Sequence, residues 1–301
     1  MLEDAKKLWL TMVRKNRREK IVDRGQVPYS QMDEIDEDEL VSGIIELRAG
    51  KGSKTKVDPL VGRKEFTEQK KEEWFGGYEV YIAVDLSGST NDEIGGVKKV
   101  ETERDMVFLI TDSCMSAATL ARKKITQLKS PMPVKVSVVV FGERIEIVLP
   151  LTETWGPAAQ IRIYRALDRG AGGGTPDHEA LAMIGEQIKQ GKEQETTMLN
   201  QSRSDKRRVM QANNWHMRRF VLVVADGGSD KPTSVQQEVK ALEQAGIPVD
   251  LFLIASEDNK NLLTAAQGAY GSVMFVPDPA DLADKGLARL TERINAAYKR
   301  N

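Results

Sequence analysis

A chain of 301 residues, 40 % of them hydrophobic, 30 % charged, and with a formal net charge of -1, can bury a sizeable core and offers no electrostatic reason to propose nucleic acid as a partner. It contains no run of about 18 apolar residues to span a membrane, and its opening, MLEDAKKLWLTMVRKNRREK, lacks the apolar stretch and cleavage site of a secretory leader. A single cysteine, Cys114, cannot close an internal disulfide; the composition therefore predicts a soluble, cytoplasmic protein.

In chain order, residues 1–20 read as a basic helix with few apolar positions (Leu2, Leu8, Leu10, Val13), in which Trp9 and Met12 read as core or chain-edge positions. The acidic run DEIDEDE at 33–39 leads into LVSGIIELRAG, where Leu40, Val41, Ile44, Ile45 and Leu47 share one helical face. Asp36 or Asp38 can cap that helix and Gly50 can end it, so a short helix is expected over 37–49. The polar stretch 51–74 reads as a linker, with Trp74 a packing residue. Its fragment GKGSKT lacks phosphate-loop spacing, because Ser53 separates Gly52 from Lys54 and no strand precedes it. Residues 1–75 are thus expected to be a helical extension and linker, and 76–301 a single domain.

From Tyr78 strands and helices alternate. Strands are predicted at 78–85, 134–142, 145–151, 218–226, 248–256 and 272–277. Helices are predicted at 101–128, 161–170, 176–191, 234–246, 259–269 and from Leu282 to the C-terminus. In the first of them Met106, Leu109, Ile110, Ser113, Ala117 and Leu120 face inward and Cys114 is a small buried hydrophobe. YIAVD and FVLVVAD are nearly continuous apolar runs, as strands covered on both faces should be. The fold class is therefore α/β: a doubly wound, mainly parallel six-stranded sheet, with one antiparallel edge strand from the closely spaced pair at 134–151. Residues 191–217 are polar and longer than a connection needs; they read as a surface insertion, with Trp215 and Met217 as anchors for a partner contact.

Three loops carry candidate chemistry. DLSGST places Asp85, Ser87 and Ser89 at alternate positions where an apolar strand ends. GAGGGTPD, residues 170–177, carries Thr175 in a loop whose glycines let backbones approach closely. ADGGSD, residues 225–230, carries Asp226 at another strand end. Each alone is explained by a turn or a helix cap. Together they assemble two carboxylates and three hydroxyls, all hard oxygen donors suited to Mg²⁺ or Mn²⁺. With hydroxyls as direct ligands and aspartates acting through water, such an ion keeps a high positive charge and a replaceable position for an outside carboxylate.

DLSGST, GGGTP and ADGGSD resemble the metal-ion-dependent adhesion site of von Willebrand factor A domains, over about 76–298. The resemblance implies metal coordination by Ser87, Ser89 and Thr175, with Asp85 and Asp226 in water-mediated roles; the family's usual methionine after the second serine is Thr90 here. DLSGSTND together with the upstream EIDEDELVSGIIELRAGKGSK is similar to the C-terminal part of bacterial NorD and CbbO proteins, and less closely to the adhesion domains of CobT-type cobalt chelatase and magnesium chelatase subunits. That likeness implies a non-enzymatic adaptor beside a MoxR-type AAA+ ATPase, activating or loading metal into a client metalloenzyme. The chain departs from those proteins in lacking their long N-terminal helical region and in its 191–217 insertion.

A metal-dependent phosphohydrolase is the alternative. Asp85 would suit it, but Ser87 stands where phosphatases of the haloacid-dehalogenase type place a general acid. No G-x-S-x-G elbow surrounds Ser87. Of the two histidines, His178 is expected to cap its helix or face solvent. An extracellular adhesin fits poorly with one cysteine and no leader.

Overall fold

The structure is a computed structural model describing residues 26–28, 61–63, 76–123, 132–168, 172–201 and 216–299. The chain divides into two compact units, Arg18–Glu72 and Glu73–Asn301 together with Met1–Arg17. In the first, β1 (Gln26–Pro28) pairs antiparallel with β2 (Val61–Arg63), so part of the stretch read as a linker is a strand. The helices expected over 1–20 and 37–49, and Trp74, lie outside the described residues.

The second unit is built on six strands: β3 (Gly77–Leu86), β6 (Val134–Gly142), β7 (Glu146–Thr152), β8 (Met217–Ala225), β9 (Val249–Ile254) and β10 (Val273–Val276). They lie in the order β10-β9-β8-β3-β6-β7, all parallel except the β6–β7 pair. This is the expected doubly wound sheet with one antiparallel edge strand. Every residue of β3 but Leu86 is buried, because helices cover both faces. Val80, Ile82 and Val84 pack with α1 (Lys99–Lys123), α2 (Pro157–Asp168) and α6 (Leu282–Lys299). Tyr81 and Ala83 pack with α3 (Asp177–Gln201), α4 (Pro232–Gln244) and α5 (Lys260–Tyr270). Among the described residues no helix is long and apolar enough to cross a membrane.

Strand order places the site. The chain leaves β3 toward β6 on one side, and leaves β8 toward β9 on the other. The crevice between β3 and β8 is where those connections diverge, and ligands of open α/β sheets collect there.

Two local features differ from the sequence reading. Between β3 and α1 lies a small hairpin, β4 (Glu93–Ile94) and β5 (Val97–Lys98), turned by Gly95 and Gly96 at φ 63° and 83°. Two successive positive φ values suit the tight hairpin turn that glycine permits. Second, α3 does not stop at Gly191. It continues to Gln201, so residues 192–201 are helix, not an irregular excursion. Gly191 is a close-approach glycine rather than a helix end: a Cβ there would sit 3.3 Å from Glu79 Oε2. The extension is held by Glu195, whose carboxylate accepts from Arg219 Nη2 at 2.6 Å and from the Met217 amide at 3.1 Å. Met217 opens β8 and is buried, so it is no exposed anchor; Trp215 lies outside the described residues.

Candidate metal centre between the central strands

At the end of β3 the chain turns sharply. Asp85 Oδ1 accepts from the Ser87 amide at 2.7 Å. The Thr90 amide and hydroxyl both donate to the Ser87 carbonyl, at 3.2 and 2.8 Å. Thr90 is fully buried and closes this turn. The winding brings alternate hydroxyls to one side, with Ser87 Oγ and Ser89 Oγ 3.1 Å apart. Ser89 Oγ donates to Asp226 Oδ1 at 2.7 Å, bridging the first loop to the one that leaves β8.

The second loop joins through main-chain contacts. The Thr175 amide donates to Asp230 Oδ2 at 2.8 Å, and the Asp230 amide returns a bond to the Thr175 carbonyl at 3.2 Å. Its glycines are needed for proximity. Gly173 has φ 80° and lies against the Glu143 backbone, and a Cβ on Gly174 would strike the Asp230 carboxylate. A Cβ on Gly227 would lie 3.8 Å from Ser89 Oγ and 4.0 Å from Thr175 Oγ1. The structure thus brings together all five residues singled out in the sequence: Asp85, Ser87, Ser89, Thr175 and Asp226.

Four further residues complete the neighbourhood. Asp177 accepts from Ser229 Oγ and Tyr270 Oη, both at 2.6 Å, tying the third loop to the start of α3 and the end of α5. Asp230 holds Thr175, as above. Lys99, first residue of α1, donates from Nζ to Asp226 Oδ2 at 2.7 Å and to the Ser89 carbonyl at 3.2 Å. Glu103, one turn further on, is fully buried and neither carboxylate oxygen has a hydrogen-bond partner. Burial raises its pKa well above the usual carboxylate range. The charges of Asp85 and Asp226 add to that, and Lys99 opposes it. Lys99 and Glu103 escaped the sequence reading because helix periodicity marks α1 only as amphipathic. The Gly95-Gly96 turn and the Lys-to-Glu spacing of one helical turn were the signals available.

Electrostatically the cluster is incomplete. Asp85 is fully buried, and its Oδ2 has no partner. Burial pushes its pKa up to about 7; the Ser87 amide partly offsets this and the Asp226 charge adds to it. Among the described residues no group of three or more His, Cys, Asp or Glu is placed to hold a metal. An ion here would rely on hydroxyls and water, which excludes a soft thiolate or imidazole site and suits a hard divalent cation. The orphaned Asp85 oxygen and the three convergent hydroxyls fit such an ion.

The remaining candidates do not enter this cluster as acids or bases. His178 is half-buried on the first turn of α3, its Nε2 3.7 Å from Glu179 Oε1, rather than solvent-facing. His216 is exposed just before β8. Cys114 is fully buried, as expected, and burial pushes its thiol up to about 12.

Among solved structures, the chain is similar to a von Willebrand factor type A protein from Catenulispora acidiphila, at 16 % identity and TM-score 0.44, covering 78 % of this chain and 44 % of that one. It is similar to the conserved hypothetical protein BatB from Bacteroides thetaiotaomicron, at 14 % identity and TM-score 0.47, covering 73 % and 98 %. A third is proximal thread matrix protein 1 from the mussel byssus with a zinc-occupied MIDAS motif, at 12 % identity and TM-score 0.41, covering 73 % and 46 %. No curated protein matches the sequence. The family profile of the von Willebrand factor type A domain matches residues 79–285, more than half of the chain. The chain therefore belongs to the von Willebrand factor type A domain family.

Proposed function

We propose that this protein is a non-enzymatic adaptor whose interaction site is a bound Mg²⁺ or Mn²⁺. Ser87, Ser89 and Thr175 would hold the ion directly, and Asp85 and Asp226 would act through water. The ion supplies one thing, a concentrated positive charge with an exchangeable position, and a partner's Asp or Glu takes that position. The observation that carries this reading is the hydrogen-bonded run Asp85–Ser87–Ser89–Asp226, ending in an unpartnered Asp85 oxygen. Buried polar atoms are almost always satisfied, so an orphan carboxylate oxygen beside hydroxyl donors marks a position for a cation.

The upstream LRAG segment and the DLSGST strand, similar to NorD and CbbO proteins, favour a MoxR-type AAA+ ATPase and its client metalloenzyme as partners, in the cytoplasm. On that reading residues 1–75 serve assembly and 76–301 form the interaction domain, with 191–217 an additional contact element. The test is capture of a co-expressed MoxR-type ATPase by the full chain with Mg²⁺ and with EDTA. The expected result is Mg²⁺-dependent capture, lost when Ser87→Ala and Asp226→Ala are combined while the circular dichroism spectrum is retained. Capture that persists both in EDTA and in the double variant would overturn the proposal.

A further inference from the structure

The oxygen cluster already contains a cation of its own. The Lys99 side chain is 10 % exposed, and its ammonium lies 2.7 Å from Asp226 Oδ2 and 3.2 Å from the Ser89 carbonyl. Asp226 is thereby shared between a hydroxyl on one oxygen and an ammonium on the other. A divalent ion would draw on the same negative charge, and two cations at one carboxylate repel. Two other acidic groups are near neighbours of Lys99 along the chain. Asp92 Oδ2 is 4.0 Å away but 72 % exposed, where pairing is screened by water. Glu103 is one helical turn along the same face, fully buried, with both oxygens unpartnered. A lysine that only propped Asp226 would need no second acceptor. Glu103 is the group such a role leaves unexplained.

We propose that Lys99 is an internal competitor of the divalent ion, pairing with Asp226 until an ion takes that carboxylate and then moving its ammonium to Glu103, whose carboxyl gives up its proton to solvent as the ammonium arrives. This rests on the reading that the cluster binds a divalent ion. One lysine thus serves two buried acids. The ion's affinity is set by its advantage over an ammonium already in place, and Glu103 lowers the cost of displacing it. Occupancy of the site would then require an ion concentration higher than the oxygen donors alone demand.

The experiment is Mn²⁺ binding to the full chain, by calorimetry and by the electron paramagnetic resonance signal of free Mn²⁺, in a two-residue cycle. Lys99→Met should tighten Mn²⁺ by about tenfold or more, within the usual span of coupling between sites. Glu103→Gln should weaken Mn²⁺ in the wild-type background, and by clearly less once Lys99→Met is present. Asp92→Asn should leave affinity unchanged. If Lys99→Met does not fold, Lys99→Gln keeps an uncharged polar tip and should show the same sign. Binding by Lys99→Met that is equal to or weaker than wild type overturns the inference and leaves the metal reading standing. An equal Glu103→Gln effect in both backgrounds does likewise. No Mn²⁺ binding by any variant overturns both, whereas binding by Lys99→Met alone supports the inference in its strongest form.

Discussion

The central strands β3 and β8 carry buried charges at both ends, and the two ends treat them differently. At the N-terminal end Glu79 and Arg219 stand opposite each other in the strand register. Arg219 Nε donates to Glu79 Oε2 at 2.7 Å and Nη2 to Glu195 at 2.6 Å. Tyr81 Oη donates to Glu79 at 3.0 Å, and Lys135 approaches it at 3.5 Å. Glu79, Arg219 and Glu195 thus each have an opposite charge in contact. At the C-terminal end Asp85 Oδ2 and both oxygens of Glu103 have none. Burial of charge is therefore common to a structural joint and to the proposed binding site. Completeness separates them: a satisfied network rigidifies, and an unsatisfied one is tolerated where a ligand finishes it.

The comparison can be broken most forcefully at the closed end. Arg219→Met removes the arginine shared by Glu79 and Glu195, leaving Glu79 only the longer Lys135 contact at 3.5 Å, and should cost about 3–5 kcal/mol in urea denaturation, as for other buried pairs missing one partner. Adding Glu79→Gln should recover part of that loss. A cost near zero for Arg219→Met would mean the joint is ornamental.

At the open end the decisive measurement is stability with and without the ion. Mg²⁺ at about 100 times its Kd should stabilise the folded chain by about 2.7 kcal/mol. Asp85→Asn should abolish that increment while leaving stability in EDTA within about 1 kcal/mol of wild type. An undiminished Mg²⁺ effect in Asp85→Asn would place the ion elsewhere.

A second closed joint sharpens the comparison through pH. Asp250 on β9 accepts from Arg289 and Arg293 of α6 and from Ser272. Burial pushes its pKa up, but the bonds from Arg293, Arg289 and Ser272 outweigh burial and hold it below its usual value. A depressed carboxylate stabilises the fold above its unfolded pKa of about 3.9, and that contribution fades as pH falls through the lower folded value. Asp250→Asn should cost about 2 kcal/mol at neutral pH, the scale of hydrogen bonds to charged groups. The gap in Tm between wild type and Asp250→Asn should stay constant down to about pH 5 and narrow below about pH 4. A gap that widens in acid would show that the clamp is not ionic.

The smallest effect is expected at Glu103. With EDTA present, Glu103→Gln removes an unpartnered buried carboxylate and should change stability by less than about 1 kcal/mol, or raise it. A loss as large as that of Arg219→Met would reveal a partner for Glu103 and erase the contrast between the two ends.

Much of this was legible from residue order. The run FVLVVA announces a doubly covered strand because no polar face alternates through it, and β8 spans it. DLSGST announces clustered hydroxyls because they recur at every second position beyond a strand, and Ser87 Oγ and Ser89 Oγ lie 3.1 Å apart. The end of α3 was not legible, since Gly191 reads as a stop and only the nearby Glu79 explains it. Lys99 was hidden for a related reason: a lysine at a helix start reads as solvent-exposed until Asp226, 127 positions away, is folded against it.

By itself the sequence determined the element types and their alternation, the parallel doubly wound class, and the oxygen-donor residues at the strand ends. These follow from local periodicity, turn chemistry and side-chain type, which are properties of neighbours along the chain. Only the tertiary structure decided that β8 lies beside β3, that Lys99 meets Asp226, that Glu103 is buried without a hydrogen-bond partner, and that Arg219 joins Glu79 to Glu195. Those outcomes depend on which distant groups share a dry interior, where each charge must find an opposite or remain unsatisfied.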